Sequence, residues 1–142
     1  MNFEIKETGQ RLTDREIAAY EAGAKVRLPP QYRSFLKRIN GFISLVMIEP
    51  DNGLDADLSE FFPLFSDSKR SPTKTVECVN DLIWFGVDSG GGRFGLAHSG
   101  QNFGKIFWFD LPHSNIVEPT SADCVFVAET FNAFIEGLVE IN

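Results

Sequence analysis

The stretch from Leu28 to Gly41 constrains the fold more than any other part of this 142-residue chain. Its proline pair, Pro29-Pro30, keeps the residue before it out of the helical region while fitting the first turn of a helix. Tyr32, Phe35, Leu36 and Ile39 then fall at i, i+3, i+4 and i+7, the spacing that gathers apolar side chains on one side of an α-helix. Arg33, Lys37 and Arg38 lie off that stripe, the last two where cations suit the helix dipole, and Asn40-Gly41 reads as the stop. Beyond Gly41 the period changes. Ile43-Ser44-Leu45-Val46-Met47-Ile48 is rich in β-formers, is bounded by Gly41 and Pro50, and predicts a largely buried strand.

The flanking regions extend this helix-to-sheet order. Thr13-Asp14-Arg15-Glu16 has capping-box spacing and predicts a helix over 14–22, with Ile17 and Tyr20 on its apolar side and Gly23 as a left-handed stop. After the acidic turn at Asp51-Asn52-Gly53, Leu58 to Phe65 is apolar but broken by Pro63, and Ser66 to Thr75 is polar and loop-like. Cys78 to Leu82 reads as a short helical turn. Leu82–Gly86, Arg93–Ala97 and Lys105–Phe109 read as three short strands joined by glycine-rich turns, an antiparallel meander. In the third, Phe107 and Phe109 share a face and Trp108 takes the other, so this strand is covered on both sides or bares aromatic surface. A last strand over Cys124–Val127 precedes a helix in which Ala128, Phe131, Phe134, Ile135 and Leu138 line one face. The fold class expected is α+β, a mainly antiparallel sheet flanked by helices in a single domain over 1–142.

Eighteen aromatics, fourteen of them Phe, argue against disorder, and a chain of this length buries a core without disulfide or metal staples. Twenty Asp and Glu against thirteen Lys and Arg give −7, which disfavours phosphate backbones and anionic membranes, so neither nucleic acid nor membrane is expected as a partner. The acid is not evenly spread: residues 1–38 carry eight bases and five acids, +3, and residues 39–142 carry five bases and fifteen acids, −10. Glu49, Asp51, Asp55, Asp57 and Glu60 form a run with no base. Such a run serves as a solvated loop that keeps a Phe-rich domain soluble, as a negative face that meets a basic partner, or as both. Residues 1–8 mix charged and apolar side chains with no secretory h-region, and no apolar run approaches the ~20 residues of a membrane span. The expected location is cytoplasmic.

No motif carries catalysis. Gly90-Gly91-Gly92-Arg93-Phe94-Gly95 satisfies GxGxxG in form, yet Leu96 to Gly100 runs into another turn where a nucleotide site needs a helix, so it reads as a hairpin connection. Gly104-Lys105 is followed by Ile106, not the Ser or Thr of a P-loop. Cys78 and Cys124 show no CxxC pairing and read as small packing residues. A cysteine-dependent hydrolase using His98 or His113 is the enzyme alternative. His98 and His113 themselves read as exposed or turn-stabilising. Neither Asp88 with Asp110 nor Asp55 with Asp57 matches a metal-site spacing. No catalytic residue, cofactor or metal is expected.

The stretch Leu28 to Gly41 resembles the LP-x-x-Y-x-x-F-L-x-x-x-N-G signature of the SUKH superfamily, which includes the fungal cell-wall assembly and killer-toxin-resistance regulator and many bacterial immunity proteins. Leu82 to Gly92 is similar to that family's apolar strand, Gly-x-Asp turn and glycine-rich bend, and Val127 to Ile135 to its closing helix. Phe42 and Arg93 depart from the pattern, where a second glycine and an acid are usual. The resemblance implies an α+β fold and function by protein binding: an immunity protein neutralising a toxin, a nuclease among the candidates, or a regulatory or scaffold domain like the fungal member. A basic toxin face would suit the acidic segment, with Asp51, Asp55, Asp57, Glu60 and Asp88 as the expected contacts.

Overall fold

The computed structural model describes residues 3–65 and 74–141. Among them, β1 (Ile5–Gly9) leads into α1 (Asp14–Ala24) and α2 (Pro30–Arg38). There follow β2 (Asn40–Ser44), β3 (Ile48–Pro50), β4 (Glu60–Phe61), β5 (Glu77–Val79), β6 (Leu82–Val87), β7 (Arg93–Ala97) and β8 (Ile106–Phe109). Two short 3-10 turns precede β9 (Val125–Ala128), α3 (Phe131–Glu136) and β10 (Leu138–Glu140). This is the α+β class expected. Every strand pairing is antiparallel: β1-β2-β4-β6-β7-β8-β9 form one sheet, β5 joins it beside β4 on the same edge of β6, and β3 pairs with β10 separately.

The Phe excess has a structural destination. Tyr32, Phe35, Phe61, Phe85 and Phe131 meet with ring centroids 5.1–6.3 Å apart, mostly edge-on, where α2 and α3 lie on one face of the sheet. Edge-to-face packing sets the positive rim of one ring against the negative face of the next and adds to the gain from burial. On the opposite face Leu82, Trp84, Ala97, Phe107 and Phe109 form a second, smaller cluster. Trp108 packs against the main core, so the predicted split of Phe107 and Phe109 from Trp108 holds and the strand is covered on both sides.

Several boundaries differ from the sequence reading. The capping box of Thr13 and Glu16 is present, but α1 runs through Gly23 and stops at Lys25, which takes the left-handed conformation at φ 57°. The strand expected over 43–48 is two: Ser44 Oγ bonds the Val46 carbonyl across a bend, so Val46 packs inward while Leu45 and Met47 face solvent. Cys78 to Leu82 is no helical turn. Asn80, at φ 54°, closes a two-residue hairpin between β5 and β6, since Asn tolerates the left-handed region such a turn needs. The closing helix is only Phe131–Glu136; Ala128 belongs to β9 and Leu138 to β10, whose positions matched helical spacing without belonging to the helix. The polar loop expected over Ser66 to Thr75 lies largely outside the described residues.

Asn40 and Gly41 are not the helix stop but part of β2. The Asn40 side chain is buried, donates to the Gln10 carbonyl at 2.9 Å and accepts from the Leu64 amide at 2.8 Å. It therefore braces the segment entering α1 against the segment leaving β4. Gly41, at φ 87°, leaves room for Pro63, whose nitrogen would lie 2.7 Å from any Cβ there.

Candidate protein-binding face

The turn between β6 and β7 is organised by one carboxylate. Asp88 Oδ1 accepts from the amides of Gly90 at 2.9 Å and Gly92 at 2.8 Å, and Oδ2 accepts from the Trp108 indole N–H at 2.9 Å. The approach is close: a Cβ on Gly92 would sit 2.7 Å from Trp108 Nε1. Arg93 Nη1 donates to the Gly91 carbonyl at 2.8 Å and tightens the same turn. The glycine-rich segment is thus a hairpin connection, as its context predicted.

The five acids expected as contacts occupy different places. Asp51 and Asp55 stand exposed in the connection from β3 to β4. Asp57, half-buried, accepts from the amide and hydroxyl of Ser89 at 3.0 and 2.8 Å, which ties that connection to the β6–β7 turn. Glu60 lies in β4 opposite Ile43 and Val87, near Arg93 and Lys74. Burial holds its carboxyl above the ordinary range; the two cations pull the other way without cancelling it. Asp88 departs from the expectation. At 8% exposure, with both oxygens held by its own chain, it is a frame for the turn and not a side chain free to pair with a partner.

The thiols and imidazoles do not assemble a nucleophilic site. Cys124 Sγ donates to the Thr120 carbonyl at 3.3 Å, and burial, with Asp123 and Asp81 nearby, pushes its pKa up to about 12. Cys78 Sγ lies 3.6 Å from the Tyr20 hydroxyl. His98 Nε2 donates to the Asn80 carbonyl at 2.9 Å, and His113 Nδ1 donates to Asp110 at 2.9 Å. Each ring therefore braces a turn, and among the described residues neither imidazole hydrogen-bonds a thiol. Among the same residues no group of three His, Cys, Asp or Glu side chains is placed to hold a metal ion, and no helix is long and apolar enough to cross a membrane.

Sequence reasoning missed the apolar surface. Leu45, Met47, Val117, Val125 and Phe126 are all exposed. Val125 and Phe126 lie in the apolar run read as the last strand; the sheet order, which puts β9 at the end, bares them. Two grooves adjoin that strand. One, of about 490 Å³, lies between Trp108, Asp110, Asp123 and Val125, and the other, of about 340 Å³, between Asp51, Asn52, Phe126 and Glu129.

No characterised protein and no solved structure matches the chain. The model of the SMI1 / KNR4 family (SUKH-1) does, over residues 11–137, a span that runs from the entry to α1 through α3 and takes in the Asn40 brace and the Asp88 turn. With nearly all of its length under that match, the chain belongs to the SMI1 / KNR4 family (SUKH-1).

Proposed function

We propose that this SUKH-type domain, taken as residues 1–142, acts by binding a protein and is an immunity protein of the cytoplasm that neutralises a toxin by direct contact. Family membership supports a non-catalytic binding domain. The observation that carries the finer reading is the β3–β4 connection, which holds Asp51 and Asp55 exposed, with Asp57 half-buried beside them, in a stretch without a base. Glu60 continues it into the sheet. Fixed negative charge of this kind steers a basic protein surface and rejects acidic ones, and a nuclease's substrate face is such a surface. The environments of Cys78 and Cys124 support binding over hydrolysis, since among the described residues neither thiol hydrogen-bonds the base a thiol nucleophile requires.

The test is association with the product of an adjoining toxin gene, measured by stopped flow across a range of salt. Reversing the two exposed acids, Asp51 and Asp55, to Lys together, which leaves the Asp57–Ser89 tie intact, should slow association about tenfold at low salt and flatten its salt dependence. Unchanged kinetics would remove this face from the interface. Growth of toxin-producing cells without the domain would turn the reading toward a regulatory domain.

A further inference from the structure

The sheet ends at β9. Among the described residues β8 pairs with one edge of it and no strand pairs with the other. Soluble proteins usually blunt such an edge with a charge, a proline or a covering segment, because bare peptide groups there accept another strand. Val125-Phe126-Val127-Ala128 carries no charge and no proline, and Val125 and Phe126 are 50% and 48% exposed. Moreover, the two grooves meet it at opposite ends, one at Val125 and the other along Phe126 to Glu129. An added strand needs both: main-chain partners for affinity and recesses for its side chains.

One peptide group there is already occupied. The register shift between β8 and β9 leaves Val127 without a partner in the ladder, and its carbonyl accepts from Asn52 Nδ2 at 3.0 Å. Asn52 comes from the acidic connection, so the side chain that satisfies this carbonyl belongs to the segment already assigned to partner binding.

Charge selects the occupant. Asp123 stands just before β9 and Glu129 just after it, while Asp110 and Asp51 line the two grooves. The local base, Lys105, lies 3.9 Å from Glu129, and the His113 ring is engaged by Asp110. A second copy added antiparallel through β9 would set Asp123 of one chain toward Glu129 of the other, and like charges facing across a ladder are destabilising. A strand flanked by Lys or Arg meets a carboxylate at each end. We propose that β9 is a docking edge for an extended apolar segment of a protein partner, flanked by basic residues and added to the sheet as a further strand. The inference rests on the protein-binding reading and names a surface for it.

The test titrates the full chain, ¹⁵N-labelled, with the synthetic peptide Lys-Val-Thr-Val-Thr-Val-Lys and with its counterpart bearing Glu at both ends, and follows amide exchange. The Lys-flanked peptide should bind at least tenfold more tightly than the Glu-flanked one and slow exchange at Val125–Ala128. Val125→Lys should weaken it about tenfold, and Asn52→Ala, which frees the Val127 carbonyl, should tighten it about threefold. Where Val125→Lys does not fold, Asn52→Ala and the peptide pair carry the decision. Failure of both peptides to bind, equal affinities, or binding that leaves β9 exchange unchanged would overturn the docking edge, while the acidic face would still stand on its own toxin-association test. A concentration-dependent dimer that protects β9 would overturn it in favour of a second copy.

Discussion

Replacing Asp88 by Asn separates a framework carboxylate from a contact carboxylate. Three donors converge on Asp88: two glycine amides on Oδ1 and the Trp108 indole on Oδ2. An amide side chain offers one oxygen and one NH₂. Whichever way it turns, the NH₂ faces either the indole N–H or the two glycine amides, and at least one donor at this nearly buried site loses its acceptor. An unsatisfied buried donor costs about 1–3 kcal/mol, and the surviving bonds fall from charge-assisted strength, about 1.5–3 kcal/mol, to about 0.5–1.5 kcal/mol. The expected loss is about 3 kcal/mol, a large share of the ~5–15 kcal/mol that holds an ordinary domain together, with a fall in Tm of roughly 10 °C. Urea unfolding followed by tryptophan fluorescence measures it directly: the midpoint should drop with the slope unchanged. Asp55→Asn, in the exposed connection, is the control and should stay within about 0.5 kcal/mol. A loss at Asp88 as small as the control's would refute the frame and return the residue to the contact set.

Phe35→Ala should cost about 3–5 kcal/mol, because the ring is buried and lies 5.1 and 5.2 Å from those of Phe61 and Phe131; a melt within a degree or two of the parent would contradict the α2 packing. Glu60→Gln tests a sign. The carboxyl is raised in the folded state, so the folded chain holds its proton to higher pH than the unfolded chain does, and Glu60 favours folding below its unfolded pKa and loses that contribution as pH rises through its folded pKa. The Gln variant should therefore melt higher than the parent at pH 7 and equal to it below the ordinary carboxylate range; a lower melt at pH 7 would show that Arg93 and Lys74 outweigh burial. Cys124 should alkylate roughly a hundredfold more slowly than free cysteine at pH 7.5: a pKa near 12 cuts the thiolate about 10³-fold, and the greater nucleophilicity of that thiolate recovers only part of it. Mass spectrometry of the labelled chain reads the site, and a rate above that of free cysteine would revive the hydrolase.

Much of the fold was legible because its signals are local. The Pro29-Pro30 entry, the Tyr32-Phe35-Leu36 stripe, the Thr13 capping box and the three meander strands each depend on residues within a turn or two of one another, and each is present. The misses share a cause. The β1 strand alternates weakly because it is a half-exposed edge, and β10 is three residues long, so neither carries a period. The helix drawn through Ala128 and Leu138 matched 3.6-residue spacing by coincidence, and nothing local distinguishes it from strand, short helix and strand in succession.

The candidate site divides along the same line. Sequence alone located the acidic segment, since charge is a property of the residues themselves, and its signature residues identified the family. Whether a carboxylate is free to meet a partner depends on what folds over it. Asp51 and Asp88 look alike in sequence; one is exposed, and the other is held by amides and an indole from beyond its own position in the chain. Val125 and Phe126 look like core because their composition is that of core. Only the order of strands, a matter of pairings between residues far apart in sequence, leaves β9 at the rim and turns buried-looking side chains into surface.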